Sequence, residues 1–149
     1  MNNVVTRLVP PPPTCELYGM TLARLGMQQT LDHLFESLAS GRGGWLVTAN
    51  LDFLRRHVKD PEMRALYDRA DVTVADGMPL VWAARLQGDD LPERVAGSAM
   101  VALVAERAGV GRHRFVASAI GGQVGRLVGV AMSSDIGRGG VGRRGVLLR

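Results

Sequence analysis

The sequence has one cysteine, Cys15, one lysine, Lys59, and few aromatic side chains: two Trp, two Tyr and three Phe in 149 residues. A lone cysteine closes no internal disulfide, and three histidines without a second cysteine form no tetrad for structural zinc. His33, His57 and His113 fall in separate elements with no i, i+4 pairing, so no metal site is expected, and no cofactor. No apolar run approaches the roughly 20 residues of a membrane-spanning helix. Pro10-Pro11-Pro12-Pro13 would interrupt the apolar core of a signal peptide. These absences lead to the expectation of a cytoplasmic chain. What is present, 46% hydrophobic and 21% charged residues, suits one compact domain and excludes a large multidomain enzyme.

The charge is unevenly placed. The formal net charge is +4, and it comes from the end of the chain: residues 1–111 carry 11 basic and 13 acidic side chains, whereas residues 112–149 carry seven arginines and one acid, Asp135. The same segment holds nine glycines, and hydrophobic periodicity ends near residue 132. An arginine/glycine segment can grip the phosphates of nucleic acid or of an anionic membrane. Here it lacks the aromatic side chains that stack on single strands, since none follows Phe115. The competing reading, which we prefer, is a disordered or out-of-frame end, because Arg and Gly are what GC-rich codons yield in any frame.

Residues 1–19 read as an extended, proline-rich lead-in. From Thr21 to about Ala39, Leu22, Leu25, Leu31, Leu34, Phe35 and Leu38 recur at three- and four-residue spacing, which predicts an amphipathic helix stopped by Ser40-Gly41. Residues 45–49 form a short apolar run that reads as a buried strand, followed by Asn50 and a helix carrying Leu51, Phe53, Leu54 and Val58. Asp60-Pro61 opens another helix. A second strand, residues 72–75, runs into Asp76-Gly77, and Met78-Pro79 starts a helix that Gly88 stops. A polar link over residues 91–97 leads to a helix capped by Ser98, and residues 113–118 form a third strand. Strand and helix alternate, which predicts the α/β class: a Rossmann-like layered domain with a mainly parallel sheet, incomplete at the C-terminus.

In such sheets ligands gather at the C-terminal ends of the strands. Thr48 and Asn50, at i and i+2 of one strand, project to the same side and offer a hydroxyl and a carboxamide to a sugar or phosphate oxygen. Equally, Asn50 caps the next helix and Thr48 packs in the sheet. Asp76 ends the second strand before Gly77, whose missing side chain permits a sharp turn and a close ligand. A carboxylate there suits a general base; equally, it caps the helix from Met78. Arg85 and Arg94 offer planar forks for diphosphate oxygens, or are solvated surface residues. Gly121 and Gly122, after the third strand, expose N–H groups suited to phosphate. The G-x-G-x-x-G spacing is absent, which argues against a nicotinamide cofactor. No Gly-x-Ser-x-Gly elbow supports a hydrolase, and Cys15, after a proline run, is poorly placed as a nucleophile.

Four blocks carry a family resemblance: Leu46-Val47-Thr48-Ala49-Asn50-Leu51-Asp52-Phe53; Tyr67 through Ala70-Asp71; Ala75-Asp76-Gly77-Met78-Pro79-Leu80-Val81-Trp82-Ala83; and Leu91-Pro92-Glu93-Arg94-Val95-Ala96-Gly97-Ser98. In this order and spacing the chain, over roughly residues 15–118, resembles the WecG/TagA/CpsF glycosyltransferases. The resemblance implies a bacterial enzyme that moves an N-acetylmannosamine-type or related hexose, with inversion, from a UDP-sugar donor to a lipid-linked acceptor, an undecaprenyl-diphosphate sugar. The product would feed wall teichoic acid, enterobacterial common antigen, capsule or exopolysaccharide. It implies Asp76 as base, Thr48 and Asn50 in the pocket, Arg94 on the diphosphate, Gly77, Gly121 and Gly122 at the substrate, and no metal.

The same resemblance divides the chain into the lead-in, a transferase α/β domain over residues 20–118, and a tail over residues 119–149 that is disordered or foreign to the family. Family members continue past the third strand with a further α/β half. What is implied is therefore a fragment that keeps Asp76 but has an incomplete donor pocket, inactive or poorly folded, exposing apolar surface and prone to self-association. Its expected place is the cytoplasm, at the inner face of the plasma membrane, with no specific nucleic acid as partner. The alternative is a non-catalytic nucleotide-sugar or nucleic-acid binding module that uses the Arg/Gly tail.

Overall fold

A computed structural model of the chain describes residues 9–42, 44–109, 114–120 and 127–133. The elements are β1 (Thr14–Leu17), β2 (Met20–Ala23), α1 (Met27–Ala39), β3 (Gly44–Ala49), α2 (Leu51–Lys59), α3 (Pro61–Tyr67), β4 (Val72–Ala75), α4 (Met78–Leu86), α5 (Gly97–Gly109), β5 (Arg114–Ile120) and β6 (Leu127–Ser133).

β1 and β2 form an antiparallel hairpin with Thr14 opposite Ala23 and Leu17 opposite Met20. Its turn, Tyr18-Gly19, has both φ angles positive, 50° and 82°, the sense of turn that matches the twist of paired strands. This corrects the helix expected from Thr21. Leu22 falls at helical spacing from Leu25, but it belongs to the buried alternation of Leu17, Met20 and Leu22. The helix begins only at Met27, after Gly26, whose N–H donates to Gln29 Oε1 at 2.9 Å.

The main sheet has the order β4-β3-β6-β5. β3 and β4 run parallel, with Ala49 opposite Ala75, whereas β6 is antiparallel to both β3 and β5. The layered α/β class is as expected, but the sheet is mixed and not mainly parallel. The chain length explains it: only residues 121–126 separate β5 from β6, far fewer than the dozen or so that a parallel crossover needs. β6 also lies within the stretch read as tail. Its apolar Leu127-Val128-Gly129-Val130-Ala131-Met132 run is short enough to be diluted by the surrounding Arg and Gly.

Helices cover both sides of β3 and β4. On one side Val47, Ala49 and Ala75 pack with the hairpin, with Phe53 and Leu54 of α2, and with Leu80, Val81 and Ala84 of α4. On the other, Leu46, Val72 and Val74 pack against Leu31, Leu34 and Leu38 of α1 and Met100 and Val104 of α5. Alternate residues thus serve opposite layers, as the two-residue period of a strand requires.

Candidate active site

The C-terminal ends of β3 and β4 lie side by side. Asp76 N–H donates to the carbonyl of Ala49 at 2.7 Å, which carries the parallel ladder one step beyond β4 and brings Asn50 next to Asp76. The period of two then puts Thr48, Val74 and Asp76 toward the side of the sheet covered by α1 and α5.

Asp76 is half-buried, and its Oδ2 accepts the N–H of Gly97, the first residue of α5, at 3.0 Å. It does not cap α4: the cap position there is Gly77, with no side-chain bond. The carboxylate instead faces the start of α5, where unpaired N–H groups and the helix dipole favour negative charge. Burial nevertheless pushes the Asp76 carboxyl above the usual Asp range, against the opposing pull of the Gly97 N–H and the Arg94 charge. A half-desolvated carboxylate at a strand end has the basicity that proton abstraction from a hydroxyl needs.

The other expected residues are placed as follows. Asn50 caps α2, its Oδ1 accepting the N–H of Phe53 at 3.1 Å. The cap uses one lone-pair site and leaves the carboxamide N–H₂ without a hydrogen bond among the described residues. Thr48 is buried at 1% exposure, and its Oγ1 has no hydrogen-bond partner. Gly77 has φ 179°, an extended conformation open to any residue, so the sharp turn expected of it is not a positive-φ turn. A Cβ there would sit 4.0 Å from Asn50 Cα, in ordinary contact. Arg94 is exposed and makes no hydrogen bond among the described residues, while its charge reaches Asp76. Arg85 does not face the carboxylate: it bonds the carbonyls of Leu91 and Pro92. Gly121 and Gly122 lie outside the described residues.

Residues 91–97, read from sequence as a polar link, turn out to form one wall of this site. Leu91 and Val95 are buried anchors, and Val95 N–H donates to Ala75 C=O at 2.8 Å. The four-residue spacing of these two apolar residues was the available signal. The contact from Asp76 to Gly97 spans 21 residues and had none. Cys15 is buried, and burial raises its thiol pKa, so it is no thiolate nucleophile. Two clefts of about 260 and 330 Å³ open elsewhere. The first is lined by Trp45 and Asp71 at the N-terminal ends of β3 and β4, the second by Met20 and Tyr67 under the hairpin, and neither is lined by Asp76.

The fold and this strand-end cluster define an α/β domain with a carboxylate, a carboxamide and a free guanidinium gathered at the topological end where such sheets bind ligands. The sequence model of the glycosyl transferase WecG/TagA/CpsF family matches residues 15–131, from β1 into β6. The chain belongs to that family. The match reaches beyond the roughly 15–118 span of the resembling blocks and takes in β5 and most of β6. A search of curated proteins finds no match. Membership makes the chain a transferase of cell-surface polysaccharide synthesis, a class that works with a nucleotide-sugar donor and a lipid-linked acceptor. No helix among the described residues is long and apolar enough to cross a membrane.

Proposed function

We propose that this chain transfers an N-acetylmannosamine-type hexose, with inversion, from its UDP donor to a sugar hydroxyl carried on undecaprenyl diphosphate at the inner face of the plasma membrane. Asp76 takes the proton from the acceptor hydroxyl. That oxygen forms a bond to the anomeric carbon as the carbon–oxygen bond to UDP breaks, and UDP leaves with the electron pair. Arg94 meets the growing charge on the departing diphosphate, and the carboxamide of Asn50 holds a substrate oxygen beside the base. Thr48, whose buried hydroxyl is unpaired, belongs to the same face of the sheet. Unpaired buried hydroxyls are uncommon in packed interiors unless a ligand or water completes them.

The observation that carries the reading is the Asp76 carboxyl, half-buried at the end of β4 with basicity raised by burial and with Arg94 near it. The test is Asp76→Asn, assayed with UDP-N-acetylmannosamine and a short-chain prenyl-diphosphate sugar acceptor. Turnover is expected to fall about 100- to 10,000-fold, while UDP still binds in calorimetry. Unchanged turnover overturns the reading.

A further inference from the structure

The wall of the site formed by residues 89–97 is tied down at nearly every step. Asp89 pairs with Arg24. The carbonyls of Leu91 and Pro92 accept from Arg85: Leu91 O from Nε at 3.2 Å and Nη2 at 3.0 Å, and Pro92 O from Nη2 at 2.9 Å. Glu93 Oε1 accepts the Met27 N–H at the start of α1, at 2.7 Å. Val95 N–H bonds Ala75 and Gly97 N–H bonds Asp76. Arg94 stands between these anchors with its own guanidinium unspent.

Backbone carbonyls in a loop are ordinarily left to water, so two successive carbonyls held by one guanidinium are a specific fixture. A planar fork can bridge such a pair, and a Lys ammonium cannot reproduce that geometry. Arg85 rises from α4, the helix that follows Asp76 directly. One end of the fixture is thus rooted two turns beyond the carboxylate, and the other holds the strap that carries Arg94 and the Gly97 N–H back to it. Freeing residues 91 and 92 would let the strap lift at its entry, and backbone motion of even 1 Å is costly to a positioned charge.

We propose that Arg85 is a positioning residue of this transferase, setting through the Leu91 and Pro92 carbonyls where Arg94 meets the donor diphosphate. This rests on the assignment of Asp76 and Arg94 above.

Two measurements test it. In amide hydrogen exchange, Arg85→Met is expected to speed exchange at Val95 and Gly97 at least tenfold while amides in the middle of α1, from Leu31 to Phe35, keep wild-type rates. Unchanged exchange at Val95 and Gly97 overturns the proposal, and needs no turnover. In a double-substitution cycle with UDP-N-acetylmannosamine and the short-chain acceptor, Arg85→Met lowers kcat/KM about tenfold alone but less than twofold when Arg94→Gln is already present. An equal tenfold loss in both backgrounds marks a merely structural arginine and overturns it. Should Arg85→Met melt out, Arg85→Lys, which keeps the charge and stem, is read in the same cycle and is expected to show the same coupling. Wild-type turnover by Asp76→Asn would refute the functional reading by itself, whereas a dead Asp76→Asn with uncoupled Arg85 refutes only the positioning role.

Discussion

At Asp76, three influences meet on one carboxyl. Burial raises its pKa, and the Gly97 N–H and the Arg94 charge lower it, with burial the largest. The native state therefore holds this proton to higher pH than the unfolded chain, in which Asp titrates near 3.9. The stability linked to the group is complete below that unfolded value and is lost as pH rises through the raised native one. Asp76→Asn keeps an oxygen to accept the Gly97 N–H and removes the titration. The variant is expected to melt above the wild type at pH 7, with the gap closing as pH falls to about 3, as calorimetry across that range would report. Transfer by the wild type is expected to rise with pH through the same raised value, because the base must be ionised to accept a proton. Stability and activity then move in opposite directions with pH, which is the expected cost of keeping a half-buried carboxylate charged for chemistry.

At the scale of elements, the short helices around the site depend on their caps. Asn50 ends β3 and caps the nine-residue α2 through the Phe53 N–H; Asp60 ends α2 and caps α3 through the N–H groups of Glu62 and Met63. Asn50→Ala is expected to cost about 1 kcal/mol in urea unfolding, and Asn50→Ser, which caps as well, close to nothing. If the carboxamide also holds substrate, both variants lose transfer, so Ser separates the cap from the site. These capped elements were legible in the sequence, because Asn, Asp-Pro and Gly act locally and leave a signature within four residues. The hairpin was not. Leu22 and Leu25 fit a helical period as well as a strand alternation, and only burial of Leu17, Met20 and Leu22 against the sheet decides between them. The strap is half legible: residues 91–98 form one of the family-like blocks, but Glu93 at the start of α1 and Gly97 on Asp76 are contacts across 66 and 21 residues. Periodicity carries no information at such separations.

At the scale of the whole molecule, the two parallel strands that build the site occupy one side of the sheet, and their support comes from a strand late in the chain. β3 has β4 on one edge and β6 on the other, and β6 in turn pairs with β5. Residues 119–149 read as a tail because their Arg and Gly content outweighs the six-residue run from Leu127 to Met132. The pairing of Leu46 with Val130 and of Val47 with Gly129 is what that reading could not anticipate, since an antiparallel register is fixed by partners rather than by neighbours in sequence. Val130 sits at the middle of this arrangement, opposite Leu46 on one side and Ala117 on the other. Proline there removes an N–H from an inner strand and fixes φ where ladders on both edges must close. Val130→Pro is therefore expected to be strongly destabilising, lowering the melting temperature by about 10 °C or more. A melt indistinguishable from wild type would mean that β3 and β4 hold the site without β6. A melt lowered that far, with UDP binding weakened alongside it, would place the support of Asp76 in a strand more than 50 residues further along the chain.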